Sequence, residues 1–563
     1  MMQNESKLPD SAARARGECV FGSHRFALAI LAGLIGAVLL GTIARGMIHH
    51  APAYDELLHV LAARGMAEHG TPSIDHGEYE RAQLFTRAVA ASVRHHPGDE
   101  LLAARLPALF AALALVALVG IWTTRKAGAL AGVFAAILLV MSLHTVELAV
   151  FARFYTLHAL VIFILFAALY ELAGAFLGTD GQARTARRAP LPLLVNGLVA
   201  LAALAVAWHL QPITIIAVGA IGAGLLTGIA AEQWPATRVF VRRHAWPMVG
   251  VAVATAVVGL FVLYRLDLFA TFTQISGWAS GSAQQPNFYN QALNNDMPLL
   301  WPLVPFAVLT VALRQPRLAT TLAVAIVVAL LVTSLAAQKA VRYLYYIEPF
   351  IAILLGCALA TALFALRGLL KRQLPGHARA ASLLMLGVLG ASLAASKEGI
   401  RTGRLLLGRD SPQEVLSYGK EADWTGALPQ LQPHISAGDT VIASNAMKAL
   451  YYLGHYDYEL NASILGELEP AGEFGVDERT GRQVIGSWPS IEKLLRGDGA
   501  ASSAAKPLLI VIENKKLGLE QGVPASVVAG IVQHCAALTL PATAGLSAWT
   551  CPSRGPGRPQ ETG

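Results

Sequence analysis

Asp55 and Glu56 are adjacent carboxylates placed just after a proline, within the stretch His49 to Leu61, HHAPAYDELLHVL. A carboxylate there can act as a general base on an attacking hydroxyl, provided other groups hold the leaving group. The plainer reading is helix capping, because acids are favoured in a first helical turn by the dipole. His59 lies four residues after Asp55 on the same helical face, where it can hydrogen-bond that carboxylate or simply face water. GEYERAQL then brings Tyr79 and Arg81. Two further segments set cations beside aromatics: FARFYTLHAL, with Arg153 and Tyr155, and QKAVRYLYYIEPF, with Lys339, Arg342 and Tyr343. Arginine can grip a phosphate through two parallel hydrogen bonds. At a membrane edge the same side chains can also snorkel to the interface or anchor a helix end.

The elements that must position these residues follow from composition. The chain has 563 residues, of which 55% are hydrophobic and 14% charged. Soluble domains carry about 25% charged residues, so this balance places the chain in a membrane. Eleven apolar runs are long enough to consider as helical spans: 26–44, 101–122, 127–143, 154–177, 191–208, 210–230, 246–264, 298–313, 318–337, 344–366 and 380–396. The first is followed by ARGMIHH and not by a small-residue cleavage site, so it reads as a retained helix.

The net charge of +7 does not point to nucleic acid, because the basic residues sit in short clusters between apolar runs. Eighteen Lys and Arg fall on one side of the spans, while the short loops of the other side hold only Arg153, Arg265, Lys339 and Arg342. The richer side is expected to be cytoplasmic, together with the N-terminal tail, residues 1–25. The four poorer-side cations stand against that bias, and beside aromatics they suit an anionic lipid phosphate. The first outer loop, 45–100, shows helical patterning at 54–68 and 79–94. Leu57, Leu58, Val60 and Leu61 suggest a helix lying on the membrane surface. The polar loop 265–297 reads as a segment able to close over a substrate.

After about Lys397 the composition turns soluble. DTVIAS (439–444) and LLIVIE (508–513) read as buried strands, with helical stretches near 446–453, 490–496 and 524–534. Residues 397–550 are therefore expected to form a small outer α/β domain, and 551–563 a disordered tail. Cys535 and Cys551 flank a possible hairpin; they are either a disulfide, which an oxidising compartment permits, or two buried thiols. His49-His50 and His95-His96 lack the i, i+4 spacing of a metal pair, so no metal ligand is assigned.

YDELLH after a first span, followed by GEYERAQL in the same loop, resembles the GT-C membrane glycosyltransferases. Within them it is similar to the branch of protein O-mannosyltransferases and lipid A aminoarabinose transferases. The resemblance rests on short motifs across roughly 26–366 and implies a sugar taken from polyprenyl phosphate, with Asp55 at the catalytic centre and Glu56 beside it. The aminoarabinose branch has a Lys-Pro-Pro segment after a Tyr, whose Lys binds donor phosphate. Here Tyr79-Glu80-Arg81-Ala82 stands in that place, with Arg81 for the Lys and neither proline. QKAVRYLYYIEPF resembles the Arg-Tyr segment that opens a late span, and SNAMKALYYLGHYDYEL resembles the outer domains of bacterial members.

The expected protein is mainly α: a polytopic, GT-C-like bundle of about eleven spans over 26–396, carrying a small C-terminal soluble α/β domain. Its expected donor is a polyprenyl-phosphate sugar and its acceptor a lipid, glycan or protein hydroxyl on the outer face of a bacterial inner membrane. Asp55 and Glu56 would be catalytic. Arg81, Arg153, Lys339 and Arg342 would bind the donor phosphate, and His59, Tyr79, Tyr155 and Tyr343 would line the substrate. No cofactor is assigned, though some GT-C enzymes use a divalent ion. A flippase of lipid-linked saccharides is the rival from another class, but it wants ionisable groups near the bilayer midplane, whereas these gather at the outer rim. A polysaccharide ligase is separated poorly from single-sugar transfer.

Overall fold

The computed structural model describes residues 10–553 other than Pro97, 178–189, 234–284, 286, 337–338, 374–376, 411–420, 469–471, 498–505 and 520–521, and no side chains before Phe26. The expected span 246–264 and most of the loop 265–297 lie outside the described residues, as does the tail after Ser553.

Seven described helices are long and apolar enough to cross a membrane: Phe26–Met47, Glu100–Ala127, Tyr155–Ala175, Leu191–Leu210, Thr214–Glu232, Pro316–Leu335 and Tyr345–Gln373. The protein is thus a multi-pass membrane helix bundle with strands confined largely to its C-terminal region. Leu191, Leu194, Leu198 and Leu201 turn 67%, 59%, 57% and 66% of their surface outward, as lipid-facing side chains do. The Thr214–Glu232 helix approaches Pro316–Leu335 through Gly224 and Gly228, one turn apart. A β-carbon on Gly224 would fall 2.3 Å from the carbonyl oxygen of Thr321, so only glycine permits that approach.

Three of the expected runs, 127–143, 298–313 and 380–396, border sharp bends. Ala129–Met141 and Leu143–Ala149 meet at 71°, Phe288–Asp296 and Trp301–Ala312 at 107°, and Ala380–Ala394 and Lys397–Leu406 at 80°. Counting each pair as one span gives ten among the described residues. At two of the bends a serine cap, which hydropathy does not register, starts the second helix. Ser142 Oγ accepts from Thr145 N at 3.2 Å, and Ser396 Oγ accepts from Gly399 N at 3.0 Å, each starting a new helix at the end of an apolar run.

The chain divides into two compact units. One comprises Met1–Met47 and Ala108–Asp410; the other comprises Ile48–Pro107 and Ser411–Gly563. In the second, seven strands form one sheet in the order β5-β6-β4-β3-β7-β9-β8. The strands are β3 (Thr440–Ala443), β4 (Tyr458–Leu460), β5 (Gly475–Asp477), β6 (Arg482–Ile485), β7 (Leu508–Glu513), β8 (Ala536–Leu538) and β9 (Leu546–Cys551). Strands β6, β4, β3 and β7 are parallel, and antiparallel partners close both edges. Every residue of β7 is buried, which is why LLIVIE is apolar without alternation. Cys535 and Cys551 form a disulfide joining the start of β8 to the end of β9.

Residues 48–107, which hold most of the expected first outer loop, belong to this second unit. Its helix Tyr54–His69 packs on Ala446–Leu453, on Gln83–His95 and on the small hairpin of β1 (Ser73–Ile74) and β2 (Gly77–Glu78). Leu57, Leu58, Val60 and Leu61 are 0–6% exposed. The expectation of a helix lying on the membrane surface is therefore corrected: protein covers its apolar residues. The hairpin is tied to the sheet through Asp75, which pairs with Arg482, and through His76 N, which donates to Thr480 O at 3.1 Å.

Candidate active site

Ala53 precedes the Tyr54–His69 helix and has no side-chain acceptor with which to cap it. Glu56 compensates by folding back, its Oε2 accepting from Ala53 N at 3.0 Å. Arg105 grips the same carboxylate with Nε to Oε1 and Nη2 to Oε2, both at 2.8 Å. Arg105 Nη1 also donates to the carbonyls of Ile48 and His50, and Nη2 lies 2.9 Å from His50 Nε2. Glu56 and Arg105 are fully buried and His50 nearly so. Burial alone would raise the Glu56 carboxyl, but the Arg105 charge and the hydrogen bonds from Arg105 and His50 hold it well below the usual carboxylate range.

The two acids therefore differ. Glu56 makes the cap and is sealed in protein, while Asp55 in the same turn is half-buried. A cavity of about 530 Å³ flanks the segment leading into this turn, with His49, Asp99, Glu421, Asp423, Tyr451 and Tyr452 among its walls. Arg81 is exposed on the turn before Gln83–His95, beside Ala82, whose φ of 49° breaks the helical patterning expected from residue 79.

His59 and Tyr79, expected to line the substrate, are both buried. His59 is 0% and Tyr79 5% exposed, and their rings meet edge to face at 5.2 Å. Phe85 packs on the other side of His59, and His59 Nδ1 lies 2.9 Å from Thr86 Oγ1. They are core residues joining two helices of the loop.

In the other unit, the two arginine segments converge. The guanidinium of Arg153 lies 5.4 Å from the Phe154 ring centre and 5.7 Å from that of Tyr155. That of Arg342 lies 5.8 Å from Tyr155 and 5.6 Å from Tyr343. The rings of Tyr155 and Tyr343 are themselves 6.3 Å apart. Residues nearly two hundred positions apart thus put two positive charges around one tyrosine. Arg153 is buried, Arg342 half-buried, and Lys339 half-buried three residues before Arg342.

Two groups escaped sequence reading. Arg105 sits in the apolar run LLAARLPALF, and an ionisable residue at such a place is a signal in itself. His144, Asp296 and Glu348 bring their ligand atoms within 4.8 Å of one another, from three separated segments that no local motif joins.

The sequence matches no family model and no curated protein. Solved structures do match. The aminoarabinose transferase ArnT from Cupriavidus metallidurans in the apo state aligns with a TM-score of 0.58 at 16% identity, covering 92% of this chain and 97% of that one. ArnT bound to undecaprenyl phosphate aligns over the same shares at 0.56 and 16%. The archaeal oligosaccharyltransferase AglB from Archaeoglobus fulgidus, in complex with an inhibitory peptide and a dolichol-phosphate, aligns at 0.54 and 12%, covering 87% of this chain and 69% of that one. The chain has the fold of the GT-C membrane glycosyltransferases.

Proposed function

We propose that this protein is a membrane glycosyltransferase that moves a sugar from a polyprenyl-phosphate donor to a hydroxyl acceptor. The observation that carries the reading is the shared fold along 92% of the chain with a transferase solved with undecaprenyl phosphate bound. The aromatic-flanked pair Arg153 and Arg342 supports it, since guanidinium groups held beside rings are suited to an anionic lipid head.

The reaction is a single displacement. Asp55 accepts the proton of the acceptor hydroxyl as its oxygen bonds to the anomeric carbon, while the bond from that carbon to the phosphate oxygen breaks. Configuration inverts. The leaving phosphate's negative charge is offset by Arg153, Arg342 and Lys339, with Arg81 as a further donor-side cation. Glu56 holds the turn that carries Asp55 and touches no reacting atom. The outer face of the cytoplasmic membrane is the site of reaction, with the N-terminus inside and the α/β domain outside.

Purified protein is to be incubated with a panel of radiolabelled polyprenyl-phosphate sugars, with lipid, glycan and peptide acceptors in separate arms. Transfer from at least one donor, abolished by Asp55→Asn in a folded protein, is expected. Undiminished transfer by that variant defeats the assignment of the base.

A further inference from the structure

We infer that His144, Asp296 and Glu348 form a divalent transition-metal site, with Zn2+ as the representative ion. The three residues stand at chain breaks. His144 lies in the first turn of the short helix after the Ser142 bend, Asp296 ends Phe288–Asp296, and Glu348 lies at the start of a late span. Asp296 and Glu348 are 3% exposed, and the His144 side chain 12%.

His144 Nδ1 lies 2.8 Å from Glu348 Oε1 and 3.6 Å from Asp296 Oδ2. The other oxygen of each acid is already occupied. Glu348 Oε2 accepts from Ser142 Oγ at 2.6 Å, and Asp296 Oδ1 accepts from Leu143 N at 2.6 Å and from Arg401 at 3.3 Å. These bonds aim Oε1 and Oδ2 at the same imidazole nitrogen, as outer partners of metal ligands do.

The plainer account is an imidazole shared between two carboxylates, and it leaves a defect. Nδ1 carries one proton, which serves Glu348. At 3.6 Å it does not hydrogen-bond Asp296 Oδ2, and that buried oxygen has no hydrogen-bond partner among the described residues. A cation among the three atoms satisfies all of them together. Bonds of about 2.1 Å to a tetrahedral ion set its donors roughly 3.4 Å apart, and with all three atoms already within 4.8 Å of one another, rotation of the side chains brings this set into range. One imidazole and two carboxylates suit Zn2+ or Mn2+ better than Ca2+, and three protein donors leave a position for water or an anion. Nearby Arg401 neutralises one of the two acidic charges, leaving the set anionic enough to attract a divalent ion.

The full chain in detergent, stripped with chelator, is to be titrated with Zn2+ against a competing fluorescent chelator. One ion per chain is expected, bound at least about tenfold more weakly by both Asp296→Asn and Glu348→Gln, the usual loss for an altered ligand shell. X-ray absorption of the unaltered Zn2+-loaded chain should show imidazole and oxygen neighbours without sulfur, a readout independent of any variant's folding. No binding, binding indifferent to both substitutions, or a zinc shell without imidazole each overturns the assignment.

Discussion

Arg105 holds both carboxylate oxygens of Glu56 at 2.8 Å, and neither side chain reaches solvent. The same guanidinium binds two carbonyls of the segment entering the helix, so it fixes residues 48–56 as one piece. The direction in which Asp55 leaves that turn is set by a residue fifty positions away.

Removing one partner of this pair should unfold the surrounding unit more readily. A buried charge left without its partner costs about 3–5 kcal/mol. Glu56→Gln and Arg105→Met should each lower the melting temperature of the full chain in detergent, and the double variant should lose less than the sum. The pH dependence has a definite sign. The folded Glu56 carboxyl lies below its ordinary value, so its stabilisation is complete above about pH 4.5 and fades as pH falls through the lower folded pKa. Glu513 follows the same rule: burial raises it, but Lys448 at 3.0 Å and Lys515 lower it further, to about 2. Melting temperatures should therefore fall on acidification from pH 5 toward pH 2, and a curve flat over that range contradicts both.

Asp55→Asn should behave in the opposite way to Glu56→Gln. Loss of a general base costs roughly 10²–10⁴ in rate, while a half-buried acid contributes little to folding. Turnover of a labelled polyprenyl-phosphate sugar should fall by that factor at an unchanged melting temperature. If Asp55→Asn destabilises as much as Glu56→Gln and keeps its turnover, the two residues have been assigned the wrong way round.

Arg153 and Arg342 both lie within 6 Å of the Tyr155 ring centre, so their contributions should not add. A charge-assisted hydrogen bond is worth about 1.5–3 kcal/mol, which corresponds to a ten- to hundredfold weaker donor interaction for each alanine variant. The double variant should lose measurably less or more than the product, and Tyr155→Leu should reduce that coupling. Fluorescence or filter binding of a polyprenyl phosphate, without any acceptor, reads these effects apart from chemistry.

Much of the scaffold was legible because apolar runs report burial directly. LLIVIE became the wholly buried strand β7, and the helical patterning at 446–453 became Ala446–Leu453. Arg153 and Arg342 stand out in the sequence as exceptions to the charge bias, and in the structure both guanidinium groups lie within 6 Å of the Tyr155 ring centre. What escaped was long-range pairing. Nothing local in YDELLH says that Glu56 will meet Arg105, or that Leu57 will pack on protein instead of lipid. His144 and Glu348 are 204 positions apart, and only folding makes them neighbours. The bends at Ser142 and Ser396 escaped for another reason: one serine at the end of an apolar run hardly changes a hydropathy average, yet it caps a new helix.

The Cys535–Cys551 disulfide bears on which side of the membrane the α/β domain occupies. Disulfides persist in oxidising compartments and are rare in the cytosol. A domain outside the cytoplasmic membrane should therefore keep this bond intact in cells. Cells lysed in acid and alkylated before reduction should yield a protein whose 535 and 551 thiols label only after reductant is added. The bond also closes a loop of 16 residues, for which constraint of the unfolded chain contributes about 3 kcal/mol. Cys535→Ser should consequently lower the melting temperature of the purified chain while leaving turnover at permissive temperature close to normal, since neither sulfur is part of the catalytic assignment. Free thiols at both positions in freshly quenched cells would place the domain on the reducing side, and the acceptor would then have to be sought in the cytosol.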